Sequence, residues 1–201
     1  MSSDILTLAT PQRARVGAEL ALLAGEQLIA AIFGLGALAF WEKAFRHPKC
    51  GFSYEHSWFL EVDGNPVGIA VGYDYQAQKK EEFRTFLILL KCLKWTFIRQ
   101  RNELRQSGNI MAKTREGDYY LSNLALYPQY RGQGYGTTVM DSVEKMAAEA
   151  GCARMVLDAE ATKERTLQFY NRRGYEMEET LPVLKTRKGD FGLYRMVKFL
   201  E

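Results

Sequence analysis

The sequence predicts an α/β fold in which at least two central strands run parallel. Two β-favouring runs surround a turn signal near residue 64, and a helical hydrophobic period occupies residues 78–106. From residue 117 onward the order is strand, glycine turn, helix, strand, helix, strand. A strand that is joined to the next through a helix runs parallel to it, because the helix carries the chain back to the same end of the sheet.

The first quarter of the chain is predicted to be helical. Residues 11–46 indicate two helices that are separated at Gly25, and the second contains an apolar run of 14 residues from Leu28 to Trp41. A membrane-spanning helix needs roughly 20 apolar residues, and Glu26 and Glu42 flank this run. We therefore interpret it as a buried helix. The N-terminus lacks a basic start followed by an apolar run, so we do not expect a secretory signal.

A hairpin and a long helix are expected next. The runs "HSWFLEVDG" and "NPVGIAVGYDY" meet at "DGNP", a sequence typical of a turn between antiparallel strands. From Gln78 to Gln106 apolar residues lie on both sides of one helical period, with eight Lys or Arg against three Glu. Such a helix has two apolar faces to cover. Core packing with a solvated basic edge is the simplest interpretation, and a homodimer contact or a lid over a substrate cleft are the alternatives.

Composition excludes several classes of protein. The 201 residues are 47% hydrophobic, enough for a proper core, and the net charge of +3 neither requires nucleic acid nor excludes an anionic cofactor. Cys50, Cys92 and Cys152 are odd in number and form no CxxC pair, which indicates reduced thiols in a cytoplasmic protein. His47 and His56 have no neighbours at ligand spacing, so no metal is expected. Neither a nucleic-acid nor a membrane partner is expected.

The stretch "LYPQYRGQGYGTTVMDSVEKM" carries the strongest functional signal. It places glycines at 132, 134 and 136 directly before a predicted helix over 137–150. The first amides of a helix lack internal acceptors and carry a partial positive charge, so such a turn binds phosphate. Glycine admits positive φ angles and puts no side chain between the backbone and a ligand. Arg131, and Arg154 if it faces the turn, would add direct charge.

Three phosphate ligands compete for this turn. A nucleotide-hydrolysing Walker loop requires GxxxxGK[ST], and no Lys-Ser or Lys-Thr follows these glycines. A dinucleotide fold requires GxGxxG early in a βαβ unit, whereas "GQGYG" is GxGxG and lies past the middle of the chain. The remaining candidate is the pyrophosphate of coenzyme A.

Two motifs resemble those of the GNAT (GCN5-related N-acetyltransferase) superfamily. The segment "RGQGYG" at 131–136, preceded by "LALYPQY", matches the family signature [Q/R]-x-x-G-x-[G/A]. About forty residues downstream, "LQFYNRRGYE" from Leu167 to Glu176 is similar to the family's FY-xxx-GF/Y element. The resemblance covers residues 117–177.

The resemblance implies a fold and a cofactor. The fold is a mixed, mostly antiparallel central sheet with one splayed parallel pair, flanked by helices, to which this chain adds a helix near 78–106. The cofactor is acetyl-CoA. A single domain over 1–201 would comprise a coenzyme-binding core at 118–177 and an acceptor-side half at 1–116 that carries the helical elaboration.

The resemblance also implies site residues. Main-chain groups of Leu124 and Leu126 would hold the pantetheine arm and the acetyl oxygen, and the hydroxyl of Tyr170 would donate a proton to the leaving thiolate. The implied coenzyme-binding residues are Leu124, Leu126, Arg131, Gly132, Gln133, Gly134, Tyr135, Gly136, Thr137 and Tyr170.

The proton acceptor stays open at this level. Many relatives carry a carboxylate on the strand before the glycine turn, but this chain has Ser122 and Asn123 there. Asp74, Asp118, Glu160 or an ordered water are the candidates.

The function expected is acetyl transfer from acetyl-CoA to a primary amine of a small molecule or peptide, by direct attack. The alternative is a non-catalytic acyl-CoA sensor with the same fold, which the missing carboxylate would favour.

Overall fold

The computed structural model describes residues 5–200, and its central feature is a seven-stranded sheet. The first four residues, on which the expectation about a secretory signal partly depends, lie outside the described residues. The strands of this sheet, in spatial order, are β1 (Ile5–Leu8), β2 (Ser57–Val62), β3 (Asn65–Asp74), β4 (Asp118–Leu126), β5 (Arg154–Glu160), β9 (Leu193–Phe199) and β6 (Glu176–Thr180). The short strands β7 (Leu184–Thr186) and β8 (Gly189–Phe191) form a separate hairpin.

Eight α-helices surround the sheet in the described part of the chain. They are α1 (Ala14–Leu23), α2 (Glu26–Phe33), α3 (Ala37–Phe45), α4 (Tyr75–Leu93), α5 (Trp95–Arg99), α6 (Arg101–Ile110), α7 (Tyr135–Glu149) and α8 (Glu164–Arg172).

The predicted sheet type is confirmed. Every pairing in the seven-stranded sheet is antiparallel except that of β4 with β5, which is parallel. The predicted hairpin is β2 and β3, whose turn residues Asp63 and Gly64 have φ angles of 50° and 77°. Two positive φ angles in a two-residue loop match the twist of antiparallel strands, which explains the Asp-Gly sequence. Strand β1 was not predicted from the sequence.

The N-terminal helices differ from the prediction at one point. The break at Gly25 lies between α1 and α2 as expected, but the second predicted helix is interrupted by a 3-10 turn at Gly34–Gly36, where Gly34 has a φ of 72°. By length and composition alone the 20 residues Glu26–Phe45, with a mean hydropathy of 1.6, would be able to cross a membrane. Core helices of globular proteins pass the same test. Here the run is bent, and Phe33, Phe40 and Trp41 are buried against one another.

Hydrophobic layers cover both faces of the sheet. On one face, Val139, Met140 and Val143 of α7 are fully buried in a cluster with residues of β4 and β5. On the other, Leu20 of α1 and Phe45 of α3 pack in a cluster with β2 and β3. Burying such apolar surface is the main favourable contribution to folding.

The long helix predicted for 78–106 is three helices. Helix α4 ends at Leu93 because Lys94 has a φ of 48°, a left-handed conformation that does not continue an α-helix. The inner side contributes Ile88 and Leu93 to the core. The outer side is exposed at Phe83, Phe86, Leu87, Leu90, Trp95 and Ile98. We refer to residues 75–110 as the insertion.

We expect Gly17→Ala to destabilise the fold by about 1–3 kcal/mol. A Cβ atom at Gly17 of α1 would lie 2.6 Å from the ring of Phe45, which is fully buried, so α1 and α3 would have to separate. Gly108→Ala in α6 is the control, since a Cβ there meets no atom within 4 Å. That change should leave stability equal or raise it by about 0.5–1 kcal/mol through helix propensity. Urea unfolding of both variants measures the difference, and equal free energies of unfolding would contradict the packing account.

Candidate active site

The parallel strands β4 and β5 are paired over three residues and then separate. The paired residues are Asp118 with Arg154, Tyr119 with Met155, and Tyr120 with Val156. Beyond Tyr120, β4 continues to Leu126 with β3 as its neighbour on the other side. One edge of β4 therefore carries main-chain groups that no strand satisfies.

The groups on this open edge belong to Leu124 and Leu126. The amide of Tyr127 donates to the carbonyl of Val67 at 2.9 Å, and Ile69 is opposite Ala125 in the same register. Alternate residues of an antiparallel strand point their N–H and C=O groups to the same side. Leu124 and Leu126 therefore direct theirs away from β3. The carbonyl of Leu126 accepts a hydrogen bond from Nε of Arg131 at 3.0 Å, which is consistent with that orientation.

The glycine turn presents a run of unpaired amides. Helix α7 begins at Tyr135, and Gly132 and Gly134 before it have φ angles of 75° and 88°. Within the described residues the amides of 132–136 have no acceptor. The amides at the two ends of the turn differ, because that of Arg131 donates to Pro128 and that of Thr137 to Gly134. The donors predicted over 131–137 are thus five consecutive amides at 132–136.

The side chains of this turn divide into two groups. Those of Arg131 and Thr137 line the adjoining cavity. Gln133 donates instead to the carbonyl of Gln129 at 2.7 Å, and the ring of Tyr135 lies 6.1 Å from that of Tyr130. Neither of the latter two lines the cavity, so their contribution there is limited to the backbone.

Arg154 does not face the turn, so the condition under which it would add charge there is not met. Its guanidinium is buried and bonds to Asp118, with Nε to Oδ1 at 2.6 Å, and to Glu178. Positive charge at the cavity comes instead from Lys163, Arg165 and Arg172 in and beside α8. These three residues were not predicted as site residues, although the basic content of "TKERTLQFYNRR" was a usable signal.

Tyr170 lies where α8, the glycine turn and the end of β4 meet. A Cβ atom at Gly136 would lie 3.5 Å from Phe169 and 4.0 Å from Leu126, so these elements are in contact at the turn. Tyr170 is 7% exposed and lines the cavity, with its ring 5.4 Å from Phe169 and 5.5 Å from Tyr175. Its hydroxyl makes no hydrogen bond to the described residues. Burial raises the pKa of Tyr170, so the phenol stays protonated at neutral pH.

These features open into one cavity of about 1420 Å³. It runs from the glycine turn along the open edge of β4 to α2, α3 and the insertion. Sites for drug-sized ligands occupy about 300–1,000 Å³. The larger volume suits two ligands that meet, one at the turn and one beneath the insertion.

The three carboxylates proposed as proton acceptors have different surroundings. Asp118 is held by Arg154, and Asp74 accepts the amide of Ala77 at 2.7 Å at the start of α4. Neither lines the cavity. Glu160, at the end of β5, does so with a side chain that is 7% exposed. Its ion pair with Nζ of Lys163 is long, at 3.8 Å.

The main chain passes close to the Glu160 carboxylate. A Cβ atom at Gly25 would lie 3.5 Å from Oε1 of Glu160, so the link between α1 and α2 covers this group. Ser122 lines the cavity too, but its hydroxyl donates to the side-chain oxygen of Asn123 at 2.7 Å. The side-chain amide of Asn123 in turn donates to the carbonyl of Ala21 at 3.1 Å. The two polar residues of β4 thus attach the strand to α1.

Comparison with known proteins agrees with this geometry. The model of the acetyltransferase (GNAT) family matches residues 26–175. No curated protein sequence matches the chain.

Several solved structures share the fold. An N-acetyltransferase from Staphylococcus aureus Mu50 is 18% identical, with a TM-score of 0.67, over 95% of this chain and 99% of that one. Ard1 from Thermoplasma volcanium is 14% identical, with a TM-score of 0.61, over 99% of each chain. The PaiA N-acetyltransferase from Thermoplasma acidophilum, in complex with coenzyme A, is 15% identical, with a TM-score of 0.56, over 98% and 99%.

We predict that Gly132→Ala weakens the binding of coenzyme A by at least about tenfold. The added Cβ would occupy the open space beside the unpaired amides, and alanine would be strained at the positive φ of this position. Gly64→Ala is the matched control, because its φ of 77° is close to the 75° of Gly132 and its surroundings are equally open. Both changes should cost similar stability, and Gly64→Ala should leave the affinity intact. Isothermal titration calorimetry measures the two dissociation constants, and an equal loss or none would contradict a site at the turn.

Proposed function

The chain belongs to the acetyltransferase (GNAT) family, and we propose that it transfers an acetyl group from acetyl-CoA directly to a primary amine, with no covalent enzyme intermediate. The observation that carries this proposal is the run of five unpaired amides at 132–136, next to the open edge of β4. We further propose that one domain over 1–201 performs the reaction, with its coenzyme-binding core at 118–177 and its acceptor side at 1–116.

The glycine turn fits a pyrophosphate group. Five amide donors at a helix N-terminus favour negative charge, and Arg131, Lys163 and Arg172 supply further positive charge at the cavity. Additional Cβ atoms at Gly132 and Gly134 would point into free space, which is the room that phosphate oxygens need. Acetyl-CoA, when bound, supplies an activated acetyl thioester.

The open edge of β4 positions the acetyl group. The amide of Leu126 is directed into the gap between β4 and β5, and we assign it to the acetyl carbonyl oxygen. A fixed amide stabilises the negative charge that develops on this oxygen and costs no reorganisation. Leu124 lies two residues earlier on the same edge, where its main chain would bind the pantetheine arm.

Tyr170 and Glu160 have complementary roles in this proposal. Glu160 takes a proton from the acceptor's ammonium group and leaves the neutral amine that attacks the thioester, because Glu160 is the buried carboxylate of the cavity whose only ion pair is long. The Tyr170 hydroxyl donates a hydrogen bond to the departing sulfur, since it is buried and has no other partner. A carboxylate that can accept a proton and a hydroxyl that can donate a hydrogen bond to the sulfur together favour an enzyme over a non-catalytic sensor.

The compartment and the partners follow from the same features. Cys50, Cys92 and Cys152 are unpaired, and burial raises the pKa of Cys50 to about 11, which makes this thiol unreactive. We propose a cytoplasmic enzyme with a small-molecule or peptide amine as its acceptor.

The Tyr170→Phe variant tests the assignment of the general acid. The change keeps the ring packing and removes the hydroxyl, so we expect kcat to fall by about 10²-fold while acetyl-CoA binds with unchanged affinity. Tyr175→Phe is the control, as Tyr175 is buried, bonds to Glu144 at 3.1 Å and does not line the cavity. Release of free thiol in the presence of amines measures kcat. Absence of acetyl-CoA binding to the unchanged protein would overturn the proposed function, and equal kcat in both variants would remove Tyr170 from it.

The Glu160→Gln variant tests the proton acceptor. We expect kcat to fall by about 10²-fold at neutral pH, because the amide cannot accept the ammonium proton. Glu164→Gln, four residues on at the exposed start of α8, should leave kcat unchanged. Calorimetry with acetyl-CoA serves as the folding control for both. A Glu160→Gln enzyme with full kcat would show that water or another group takes the proton.

A further inference from the structure

The end of the cavity that lies away from the glycine turn has an apolar wall. It is formed by Ile29 and Ile32 of α2, Phe33 and Trp41 beside them, Phe52, and Leu89 of the insertion. We call these six residues the acceptor wall. The acceptor wall and the glycine turn lie at opposite ends of the open edge of β4. In the proposed function, the amine would approach the thioester from the side of the wall.

Three rings of the acceptor wall hold one another in place. Phe33 and Trp41 lie 6.4 Å apart at 71°, Phe33 and Phe52 lie 6.1 Å apart at 86°, and Trp41 and Phe52 lie 5.0 Å apart at 83°. Edge-to-face contacts of this kind are favourable and restrict ring motion. The wall is thus a preformed surface that suits a flat apolar group.

The carboxylates that line the cavity differ in their hydrogen-bond and ion-pair partners. Asp158 bonds to Nε of Arg195 at 2.9 Å and also accepts from Tyr120 and from the amide of Ala112. Glu81 bonds to Nε2 of His56 at 2.7 Å. Glu82 also lines the cavity, from the exposed side of α4, and has no ion pair among the described residues. Glu160 remains as the buried carboxylate whose only ion pair, with Lys163, is long at 3.8 Å.

Basic side chains also line this part of the cavity. Lys79 comes from α4, and Arg101 and Arg105 come from α6. A polyamine or an aminoglycoside carries several ammonium groups, each of which needs a carboxylate once it leaves water. Here three cations stand against the single unpaired carboxylate of Glu82, so the excess of positive charge disfavours acceptors with several ammonium groups.

Resting on the proposed function, we propose that the acceptor is a monoamine carried on a flat apolar body, of the arylalkylamine class. The acceptor wall binds the body, and Glu160 receives the single ammonium group. Phe52 is the residue that determines specificity, because it completes the ring cluster and is only partly buried, so its removal does not empty the core. In this proposal the insertion closes the site through Leu89.

The test compares three amines with acetyl-CoA held constant. The amine 2-phenylethylamine presents one ammonium group on an aromatic body, ethanolamine has one ammonium group without that body, and spermidine has several charges. We expect kcat/KM for 2-phenylethylamine to exceed the values for both others by about 100-fold, the discrimination that a well-formed apolar pocket provides. Thiol release measures all three.

Phe52→Ala then locates the specificity. It should raise KM for 2-phenylethylamine about tenfold or more, with kcat and the acetyl-CoA dissociation constant nearly unchanged, because it removes binding to the apolar body and leaves the reacting groups in place. Phe83→Ala is the control. Phe83 belongs to α4, as Leu89 of the acceptor wall does, but it is 72% exposed and does not line the cavity. Neither kinetic constant should change in that variant.

The outcomes separate this inference from the proposed function. Preference for spermidine or ethanolamine, or an unchanged KM in Phe52→Ala, would overturn the acceptor class and leave acetyl transfer standing. Thiol release with none of the three amines would also overturn the acceptor class. Calorimetry with acetyl-CoA in the same preparation then decides the proposed function, which fails if no binding heat is observed.

Discussion

The separation of β4 from β5 is the constraint on which the rest of the site depends. Two parallel neighbours normally satisfy each other's main-chain groups along their whole length, and here they do so over three residues. The free edge that results would be costly if it were buried without a partner, because unpaired amides and carbonyls lose their hydrogen bonds to water. It is tolerated because a cavity of about 1420 Å³ runs beside it. The gap in the sheet and the cavity are therefore one feature.

The two sides of this gap are built for different tasks. On the side of β4, the glycine turn and α7 present backbone donors whose function depends on the absence of side chains at 132 and 134. On the side of β5, Glu160 and α8 present side chains, and burial keeps Tyr170 protonated. In the proposed function, the coenzyme would bind through geometry that several sequences produce, whereas the acceptor would bind through the particular rings and charges of α2, α3 and the insertion.

The sequence predicted those parts of the fold that local chemistry determines. Asp63-Gly64 specified a hairpin turn because both residues adopt positive φ angles there, and the glycines at 132, 134 and 136 marked the start of α7. The break at Lys94 was missed, since lysine has no intrinsic preference for a φ of 48° and only packing of the insertion imposes it. Strand β1 was missed because its four residues gain their structure from β2.

The candidate site was predictable to a similar degree. Tyr170 and the glycine turn follow from motifs, but the partners of charged residues depend on contacts between distant segments. Arg154 would have added charge to the glycine turn only if it faced that way, and it instead pairs with Asp118, 36 residues away along the chain. Glu160 was distinguished from Asp74 and Asp118 only when their neighbours in space were known. The acceptor wall combines residues from 29 to 89, a separation that no local pattern reveals.

A direct measurement of the central claim is a two-dimensional ¹H–¹⁵N NMR titration of the 23.0 kDa chain with coenzyme A. Charge-assisted hydrogen bonds to a pyrophosphate shift amide protons strongly downfield. The account predicts such shifts at the amides of residues 132–136, with smaller changes at Arg131 and Thr137, whose amides are already bonded. Coenzyme binding that leaves the five amides at 132–136 unperturbed would contradict it.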